Sequence, residues 1–263
     1  MITLTARGAL ANNYIEQFPA QVVSSRELSH QDFNDAVLKS KTIINNAASI
    51  QLNSLKDYTV ANFDSTRNLV DTLVADTSPT HLIQISSMSI LSPTDSSQYV
   101  AVKDMTHYAY SKYLAETYVM QSNLSNFSIV RFSTLFYADP TRDGLSKLIH
   151  DAVKEGQVTI YDNGAARRNF IPLEIANQYL NKLAEKSPHS TAIYNFAAPS
   201  STSFMDVVEI IKKHIPNLKI NNIPTNSNTP VLYDFDIQTT TDLGLIDFSL
   251  ETYIANYIKV LNK

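Results

Sequence analysis

Several residue types are absent or scarce in this chain. It has no cysteine, no tryptophan and only 5 glycines. Without cysteine the chain can form no disulfide, no thiolate metal site and no cysteine nucleophile. The 6 histidines lack the spacing of metal ligands, so we predict no metal site. No apolar run approaches the roughly 20 residues of a membrane span, and no block of Lys and Arg indicates binding to nucleic acid or to a lipid surface.

The rest of the composition is that of a globular protein. The chain has 263 residues, of which 44% are hydrophobic and 17% charged, and its net charge is −4. This length allows one large domain or two small ones. Residues 1–5 indicate a strand and show neither the basic nor the apolar part of a secretion signal. We therefore expect a cytoplasmic protein with neither nucleic acid nor a membrane as a partner.

Strands and helices are predicted to alternate from residue 1 to about 135. The predicted strands are 2–5, 21–24, 42–48, 81–85 and 127–132, and the longer predicted helices are 32–40, 57–75 and 106–121. Short apolar strands between helices indicate an α/β fold, with a parallel sheet covered on both faces. Ligands bind at the carboxyl ends of the strands in such sheets, and Asn45 and Ser87 lie at two of these ends.

The second half of the chain has a looser pattern. We predict helices over 145–154, from near Pro172, over 203–214 and over 249–261, and strands over 158–161 and 192–196. Residues 216–230 are rich in Asn, Pro, Ser and Thr, which indicates a loop around one short strand.

Tyr108 and Lys112 form the most informative pair in the sequence. Four residues are about one helical turn, so the two side chains share a helix face. A neighbouring ammonium favours phenolate, and we therefore expect the pKa of Tyr108 to lie below its usual value. Such a pair can protonate a carbonyl oxygen or deprotonate a hydroxyl. The same spacing is also typical of a solvated helix surface, so the motifs around the pair must decide between these interpretations.

These surrounding motifs occur in a characteristic order. They are Asn45-Asn46-Ala47-Ala48, Asn62 with Thr66 and Asn68-Leu69, Ser86-Ser87-Met88-Ser89, Tyr108-x-x-x-Lys112, Arg131 and Gly164-x-x-x-Arg168-Asn169-Phe170-Ile171. Over nearly its whole length the chain resembles the extended short-chain dehydrogenase/reductases that act on nucleotide sugars. The resemblance implies a Rossmann-type doubly wound parallel sheet with a smaller C-terminal substrate-binding subdomain. It places residues 1–142 and 170–198 in the first and residues 143–169 and 199–263 in the second. It also implies a homodimer through helices 57–75 and 106–121.

The resemblance further implies a role for individual residues. The expected catalytic residues are Ser87, Tyr108 and Lys112. The expected cofactor-binding residues are Thr5, Arg7, Gly8, Ala9, Leu10, Ser24, Arg26, Asn46, Ala47, Ala48, Asn62, Ser86, Tyr108, Lys112 and Phe132. The expected substrate-binding residues are Ser87, Met88, Ser89, Thr134 and Arg168. Of these, Arg168 would hold the diphosphate of the nucleotide sugar, and the adjacent Arg167 is expected to be a surface charge.

The cofactor motif departs from the family pattern at one position. The three glycine positions of the family fingerprint hold Thr5, Gly8 and Ala11, and threonine at the first is the departure. An acid at the tip of the second strand would favour NAD, but this tip carries Ser24 and Arg26, with Arg7 opposite. Arginines can hold a 2′-phosphate, so we predict NADP, with NAD possible. The alternative is that both arginines are surface charges.

The residues after Ser87 separate the reactions of the family. Its 4,6-dehydratases have Asp-Glu where this chain has Met88 and Ser89, and neither of these can carry a proton at neutral pH. The sequence therefore predicts an NADP(H)-dependent reductase of a nucleotide-linked 4-keto-6-deoxy sugar. One alternative is a 4-epimerase with tightly bound NAD. Another is a non-catalytic protein that senses a dinucleotide, although such a protein has no need of the Ser87, Tyr108 and Lys112 set.

Overall fold

A sheet of six parallel strands forms the centre of the protein. The computed structural model describes residues 1–24, 30–50, 52–76, 79–93, 95–186, 191–225, 234–244 and 246–263. The strands are β1 (Ile2–Leu4), β2 (Gln21–Val22), β3 (Thr42–Asn45), β4 (His81–Ser87), β5 (Phe127–Phe132), β6 (Thr134–Phe136), β7 (Gln157–Tyr161), β8 (Arg167–Arg168), β9 (Phe170–Pro172), β10 (Ala192–Phe196), β11 (Thr202–Ser203) and β12 (Lys219–Ile223). The central sheet has the order β2-β1-β3-β4-β5-β10. The chain moves outwards from β1 to β2 and then returns to the other side of β1 at β3, so a crevice is expected where the two directions diverge.

Helices cover both faces of this sheet. They are α1 (Ala9–Gln17), α2 (His30–Leu38), α3 (Leu55–Tyr58), α4 (Ser65–Asp76), α5 (His107–Gln121), α6 (Gly144–Glu155), α7 (Leu173–Glu185), α8 (Phe204–Lys212), α9 (Gln238–Thr241) and α10 (Leu250–Leu261). Consecutive strand residues point to opposite faces, and Ile43 and Ile44 accordingly belong to different apolar clusters. One cluster includes Tyr14 of α1 and Tyr179 of α7, and the other includes residues of α2, α4 and α5. The predicted doubly wound α/β fold is confirmed.

The predicted helix over 57–75 contains an irregular segment. Residues 55–76 are helical throughout, but the stretch from Thr59 to Asp64 is π-helical and joins α3 to α4. The hydroxyls of Ser65 and Thr66 donate to the carbonyls of Ala61 and Asn62 at 2.8 and 2.9 Å. These side-chain bonds satisfy carbonyl oxygens within the widened turn, in which Asn62 is fully buried.

A further apolar cluster lies outside the central sheet. It joins α6, β7, α8 and α10 through residues such as Ile149, Val158, Val208 and Ile254. The parallel pair of β6 and β9 connects this part of the chain to the end of β5. Pro172 is the last residue of β9 and the N-cap of α7, so the helix predicted to begin near it starts at Leu173. Within the described ranges, no helix combines the length and apolar character that crossing a bilayer requires.

Candidate active site

A groove runs along the carboxyl ends of β1, β3, β4 and β5, where the topology places a crevice. Its volume is about 420 Å³. A smaller cavity of about 260 Å³ adjoins it and shares Ser87, Phe132, Ser133 and Thr134 with it. The predicted cofactor residues that line the groove are Arg7, Gly8, Ala9, Leu10, Asn46, Ala48, Ser86, Tyr108, Lys112 and Phe132.

The loop between β1 and α1 forms one wall of the groove. Gly8 has a φ of 154°, a conformation that side chains rarely permit. The helix starts immediately after it, so the free N–H groups of the first turn of α1 lie beside the groove. Such a helix terminus is suited to a phosphate. Asn46 holds the loop through Ala6, which receives one hydrogen bond at 2.8 Å and donates one at 3.0 Å.

Thr5 takes the place of the first fingerprint glycine without entering the groove. It is buried, and its hydroxyl donates to Asn45 Oδ1 at 2.7 Å. The Asn45 amide in turn donates to Thr66 at 3.1 Å and to Gln84 at 2.7 Å. Thr5 and Ala47 line a different cavity, of about 310 Å³, between β1, β3 and the helix that contains Asp64. A threonine is therefore tolerated because its hydroxyl bonds inwards.

We expect Thr5→Val to destabilise the protein. Valine has a similar shape but leaves the buried Asn45 Oδ1 without its donor, which costs about 1–3 kcal/mol. For a chain of this size the midpoint of thermal unfolding should fall by roughly 2–12 °C. Circular dichroism on heating measures this change. Thr252→Val, at an exposed position of α10, is the control and should unfold with the wild type. Identical midpoints for Thr5→Val and wild type would contradict the role given to this hydroxyl.

Ser87, Tyr108 and Lys112 meet on one wall of the groove. Ser87 is the last residue of β4, and its oxygen accepts from the backbone N–H of Ser89 at 3.2 Å and lies 2.9 Å from Ser89 Oγ. Tyr108 and Lys112 lie on α5, whose N-cap Thr106 accepts from the backbone N–H of Ala109 at 3.1 Å. Ser87 hydrogen-bonds the Tyr108 phenol. The strand end and the helix start thus bring Ser87 together with Tyr108 and Lys112, which come more than twenty residues later in the chain.

The expectation of a low pKa for Tyr108 is wrong. The pKa of Tyr108 is raised to about 12, mainly by burial; the hydrogen bond with Ser87 lowers it, and the nearby phenols of Tyr137 and Tyr58 contribute to the rise. Burial lowers the pKa of Lys112 to about 8, and Glu116 opposes that shift. The cost of burying a charge therefore exceeds the effect of the neighbouring ammonium. At neutral pH the phenol carries its proton and most of the lysine is charged.

Two buried hydroxyls support the fit of a dinucleotide in the groove. Ser86 Oγ and Ser133 Oγ are buried and have no hydrogen-bond partner among the described residues, yet both residues line the groove. Buried polar groups in folded proteins are normally paired. These hydroxyls, the Lys112 ammonium and the N-terminus of α1 offer polar contacts for ribose, amide and phosphate groups. The residues present therefore fit a nicotinamide dinucleotide.

Five predicted cofactor residues do not line the groove: four lie elsewhere in the structure, and one falls outside the described residues. Thr5 and Ala47 border the separate cavity, as described above. Ser24 is buried just beyond β2, and Arg26 lies outside the described residues. Asn62 is fully buried in the π-helical turn and does not line the groove.

Asn62 instead connects two walls of the site. Its side-chain oxygen accepts from the backbone N–H of Ser49 at 2.7 Å, and its amide donates to the Ser49 carbonyl at 3.1 Å. The same amide donates to Ser111 Oγ at 3.0 Å, which donates to the Tyr108 carbonyl at 2.7 Å. Asn62 thereby joins the loop after β3 to the helix that carries Tyr108 and Lys112.

The predicted substrate residues all lie around the smaller cavity. Its lining is Ser87, Met88, Ser89, Phe132, Ser133, Thr134, Arg168, Asn169 and Phe235. Arg168 is held through its Nη1, which donates to the Arg167 carbonyl at 2.9 Å. Asn169 fixes the backbone beside it, because its side chain exchanges two hydrogen bonds of 2.8 Å with the Ala198 backbone. Arg168 therefore borders the cavity, and the hydrogen bonds of Asn169 hold the adjacent backbone in place.

Arg167 is more than the surface charge predicted for it. Its Nε donates to Ser201 Oγ at 3.0 Å, and its Nη2 donates to the Ser201 carbonyl. These bonds lie beside the antiparallel pairing of β8 with β11. The two adjacent arginines thus have different roles, since Arg167 fixes the strand on which Arg168 reaches the cavity.

The sequence was also compared with sequence models of known protein families, and the result is consistent with the groove and its fingerprint loop. The sequence model of the NAD dependent epimerase/dehydratase family matches residues 6–197, well over half of the chain. The chain belongs to this family. No sequence among the curated proteins matches it.

Solved structures of similar fold include a protein in complex with UDP-glucose and NAD and two named epimerases. MoeE5 in complex with UDP-glucose and NAD is 17% identical over 98% of this chain and 97% of that one, with a TM-score of 0.78. ADP-L-glycero-D-manno-heptose-6-epimerase from Helicobacter pylori is 18% identical over 99% of this chain and 96% of that one, with a TM-score of 0.77. UDP-glucose 4-epimerase from Thermotoga maritima is 14% identical over 100% of this chain and 99% of that one, with a TM-score of 0.78. At these identities the likeness shows the fold.

Eight of the described groove residues in this member of the epimerase/dehydratase family were not predicted, namely Ile50, Ile85, Ser133, Leu135, Tyr137, Arg142, Asp143 and Gly144. The last four belong to the segment from the end of β6 to the first residue of α6. Asp143 accepts from the backbone N–H groups of Ser146 at 2.7 Å and Tyr137 at 2.9 Å, so it caps α6 and fixes Tyr137. The Arg142 guanidinium lies 6.0 Å from the centre of the Tyr137 ring. An aspartate just before a helical pattern is a capping signal that could have identified Asp143.

Proposed function

We propose that the protein reduces a nucleotide-linked 4-keto-6-deoxy sugar with NADP(H), with Tyr108 as the proton donor. The observation that carries this proposal is that Ser87, Tyr108 and Lys112 line one wall of the groove. Burial raises the pKa of the Tyr108 phenol to about 12, so the phenol is protonated throughout the physiological range. A protonated phenol can donate to the carbonyl oxygen of a keto sugar, whereas oxidation of a hydroxyl requires a base.

The residues around Tyr108 suit this transfer. Ser87 and Tyr108 present two hydroxyls that can bind the same carbonyl oxygen. The Lys112 ammonium, one turn along α5, stabilises the negative charge left on the phenol oxygen after the proton has moved. A bound nicotinamide dinucleotide would supply the hydride to C4 of the sugar.

The smaller cavity favours reduction over reactions that need a second acid or base. None of the described residues that line it is a carboxylate, a histidine or a cysteine. Asp143 borders the larger groove, but its oxygens accept hydrogen bonds from the Tyr137 and Ser146 backbone and from the Ser146 hydroxyl. Dehydration requires a proton to be removed beside the keto group. The cavity offers Met88 and Ser89 at the positions where the dehydratases carry that function.

Arg168 supports a nucleotide sugar as the substrate. Its guanidinium borders the smaller cavity, and arginine binds phosphate groups through two parallel hydrogen bonds. Solved structures of similar fold include complexes with UDP-glucose and with UDP-glucuronic acid. We therefore place the sugar near Ser87 and the diphosphate near Arg168.

The choice of NADP rests on the residues around the adenosine end. Neither strand β2 nor the two residues after it carry an acid that would bind the ribose hydroxyls of NAD, and Arg7 lines the groove. Arg26, the second predicted phosphate contact, lies outside the described residues. Several structures of similar fold contain NAD, so the preference for NADP is a proposal about this chain. The homodimer and the cytoplasmic location stay predictions.

The experiment that tests the function measures reduction directly. The protein is incubated with NADPH or NADH and with 4-keto-6-deoxy sugars linked to UDP, dTDP or GDP, and the reduced cofactor is followed by absorbance. We expect consumption of NADPH with one of these sugars.

We also expect kcat/KM to be flat below pH about 8 and to fall above it, because the Lys112 ammonium, whose pKa is about 8, loses its proton as the pH rises. The phenol, with its pKa of about 12, keeps its proton across this range.

Two other results would overturn the reductase. The first is tightly retained NAD, found by mass spectrometry of cofactor released under denaturing conditions, together with interconversion of C4 isomers without net use of reduced cofactor. This result would identify a 4-epimerase. Binding of a dinucleotide without turnover of any keto sugar would identify a non-catalytic sensor.

A further inference from the structure

A third ionisable residue continues the line of Tyr108 and Lys112 on α5. Glu116 follows Lys112 by four residues, so the three side chains share one helix face. Glu116 is 0% exposed and Lys112 is 1% exposed. Burying a carboxylate costs free energy unless the group is paired and hydrogen-bonded. The steps of the proposed function do not use the Glu116 carboxylate. Its position one turn from the catalytic lysine suggests a reason for its burial.

The carboxylate of Glu116 is fixed from two directions. Arg131 on β5 donates from its Nε to both carboxylate oxygens, at 3.1 and 3.2 Å, and its Nη2 donates to Oε1. The Tyr99 hydroxyl donates to Oε1 at 3.0 Å and accepts from Arg131 at 3.1 Å. The Arg131 guanidinium also lies 5.4 Å from the centre of the Tyr99 ring. Glu116 is thus held in one orientation by the donors of Arg131 and Tyr99.

The other groups around Lys112 are neutral or lie at the surface. The end of β4 contributes the hydroxyls of Ser86 and Ser87, the π-helical turn contributes the amide of Asn62, and α5 itself contributes the phenol of Tyr108. The charged residues of α3 and of the first two turns of α4 that pack on α5 are exposed, namely Lys56, Asp57, Arg67 and Asp71. Asp64, in the π-helical segment, pairs with Arg67 at 3.1 Å. Among the described residues, Glu116 is therefore the anion placed to act on Lys112.

We propose that Glu116 is a positioning residue, whose carboxylate, fixed by Arg131 one turn from Lys112, keeps the Lys112 ammonium beside the groove charged. Without this carboxylate, Lys112 and Arg131 would be two buried cations with no anion between them, which disfavours the ammonium form of the lysine. Glu116 would thereby set the upper pH at which the site works. This inference rests on the proposed function for its measurement of kcat/KM, whereas its measurement of NADPH affinity does not depend on turnover.

Glu116→Gln tests the proposal, because glutamine keeps the size and the hydrogen-bond acceptor but removes the charge. The affinity for NADPH alone is measured by fluorescence from neutral to alkaline pH, together with kcat/KM for keto-sugar reduction. We expect the loss of binding and of activity at alkaline pH to begin at least about one pH unit lower than in wild type. Tyr99→Phe is the matched control, since it removes one hydrogen bond and leaves the carboxylate charged. Its profile should follow that of wild type.

The outcomes separate this inference from the proposed function. A Glu116→Gln protein with a lower melting temperature but the wild-type pH profile would show a structural role only and would overturn the proposal. If Glu116→Gln does not fold, Arg131→Gln is the second variant. It leaves the Glu116 carboxylate without its cation, so the loss of binding at alkaline pH should begin at a higher pH than in wild type, and an onset at the wild-type pH would overturn the proposal. If no keto sugar is turned over by wild type, the reductase is wrong, while the pH dependence of NADPH binding still decides the role of Glu116.

Discussion

Tyr108→Phe is expected to reduce the kcat of keto-sugar reduction by about 10²–10⁴-fold, the usual contribution of a general acid. The substitution removes only the phenol oxygen, and the ring still fills the space beside Tyr58, whose ring centre lies 6.2 Å away. The affinity for NADPH and the melting temperature should therefore stay close to those of wild type. Stopped-flow or steady-state absorbance of the reduced cofactor measures the rate, and fluorescence titration measures cofactor binding.

Tyr110→Phe provides the matched control on the same helix. Tyr110 is partly buried but does not line the groove or the smaller cavity, so its substitution should leave kcat unchanged. Reduction by Tyr108→Phe at the wild-type rate would remove Tyr108 from the mechanism. An equal loss in both variants would point to a disturbance of α5 rather than to a missing proton donor.

The fold could be predicted because its signals are local. Apolar strands that alternate with amphipathic helices gave the parallel sheet, and the strand ends at Asn45 and Ser87 fall at the edge where the groove forms. The π-helical segment was missed because an extra residue in one turn hardly disturbs a helical apolar pattern. Asn62 follows the buried Tyr58 by four residues and faces the interior, where its bonds to Ser49 and Ser111 make it a buried link rather than the predicted cofactor contact.

The electrostatics of the site could not be predicted from spacing. The interval between Tyr108 and Lys112 fixes their shared face, but the pKa of each depends on how much water the surrounding elements exclude. The Tyr108 phenol is covered by residues from three other parts of the chain, among them Ser87, Tyr58 and Tyr137. Burial then opposes the charged form of both residues. The same limit applies to Arg167, whose bond to Ser201 depends on a strand pairing that a single sequence does not reveal.

Arg168→Ala is expected to raise the KM for the nucleotide sugar by roughly 10–100-fold, since a hydrogen bond to a charged group is worth about 1.5–3 kcal/mol. In the proposed binding mode the guanidinium would contact the diphosphate both before and during the reaction, so kcat should change little. Arg168→Lys retains the charge but loses the planar arrangement of donors. Its KM should lie between those of wild type and Arg168→Ala. Calorimetry with UDP, GDP and dTDP should show the same order of affinities in the absence of turnover.

Two further variants show whether the effect belongs to this position. Arg67→Ala removes an exposed guanidinium that pairs with Asp64 and should leave nucleotide binding unchanged, which controls for the loss of positive charge. Arg167→Ala should lower the melting temperature, because Ser201 loses its two bonds from the guanidinium, and any loss of affinity should be smaller than in Arg168→Ala.

If Arg167→Ala were the variant that lost nucleotide while Arg168→Ala bound it normally, the diphosphate would have to be placed on the other side of β8. If wild type bound none of the three nucleotides, a nucleotide sugar could not be the substrate, although the Tyr108 and Lys112 chemistry would still require a carbonyl or hydroxyl compound in the smaller cavity.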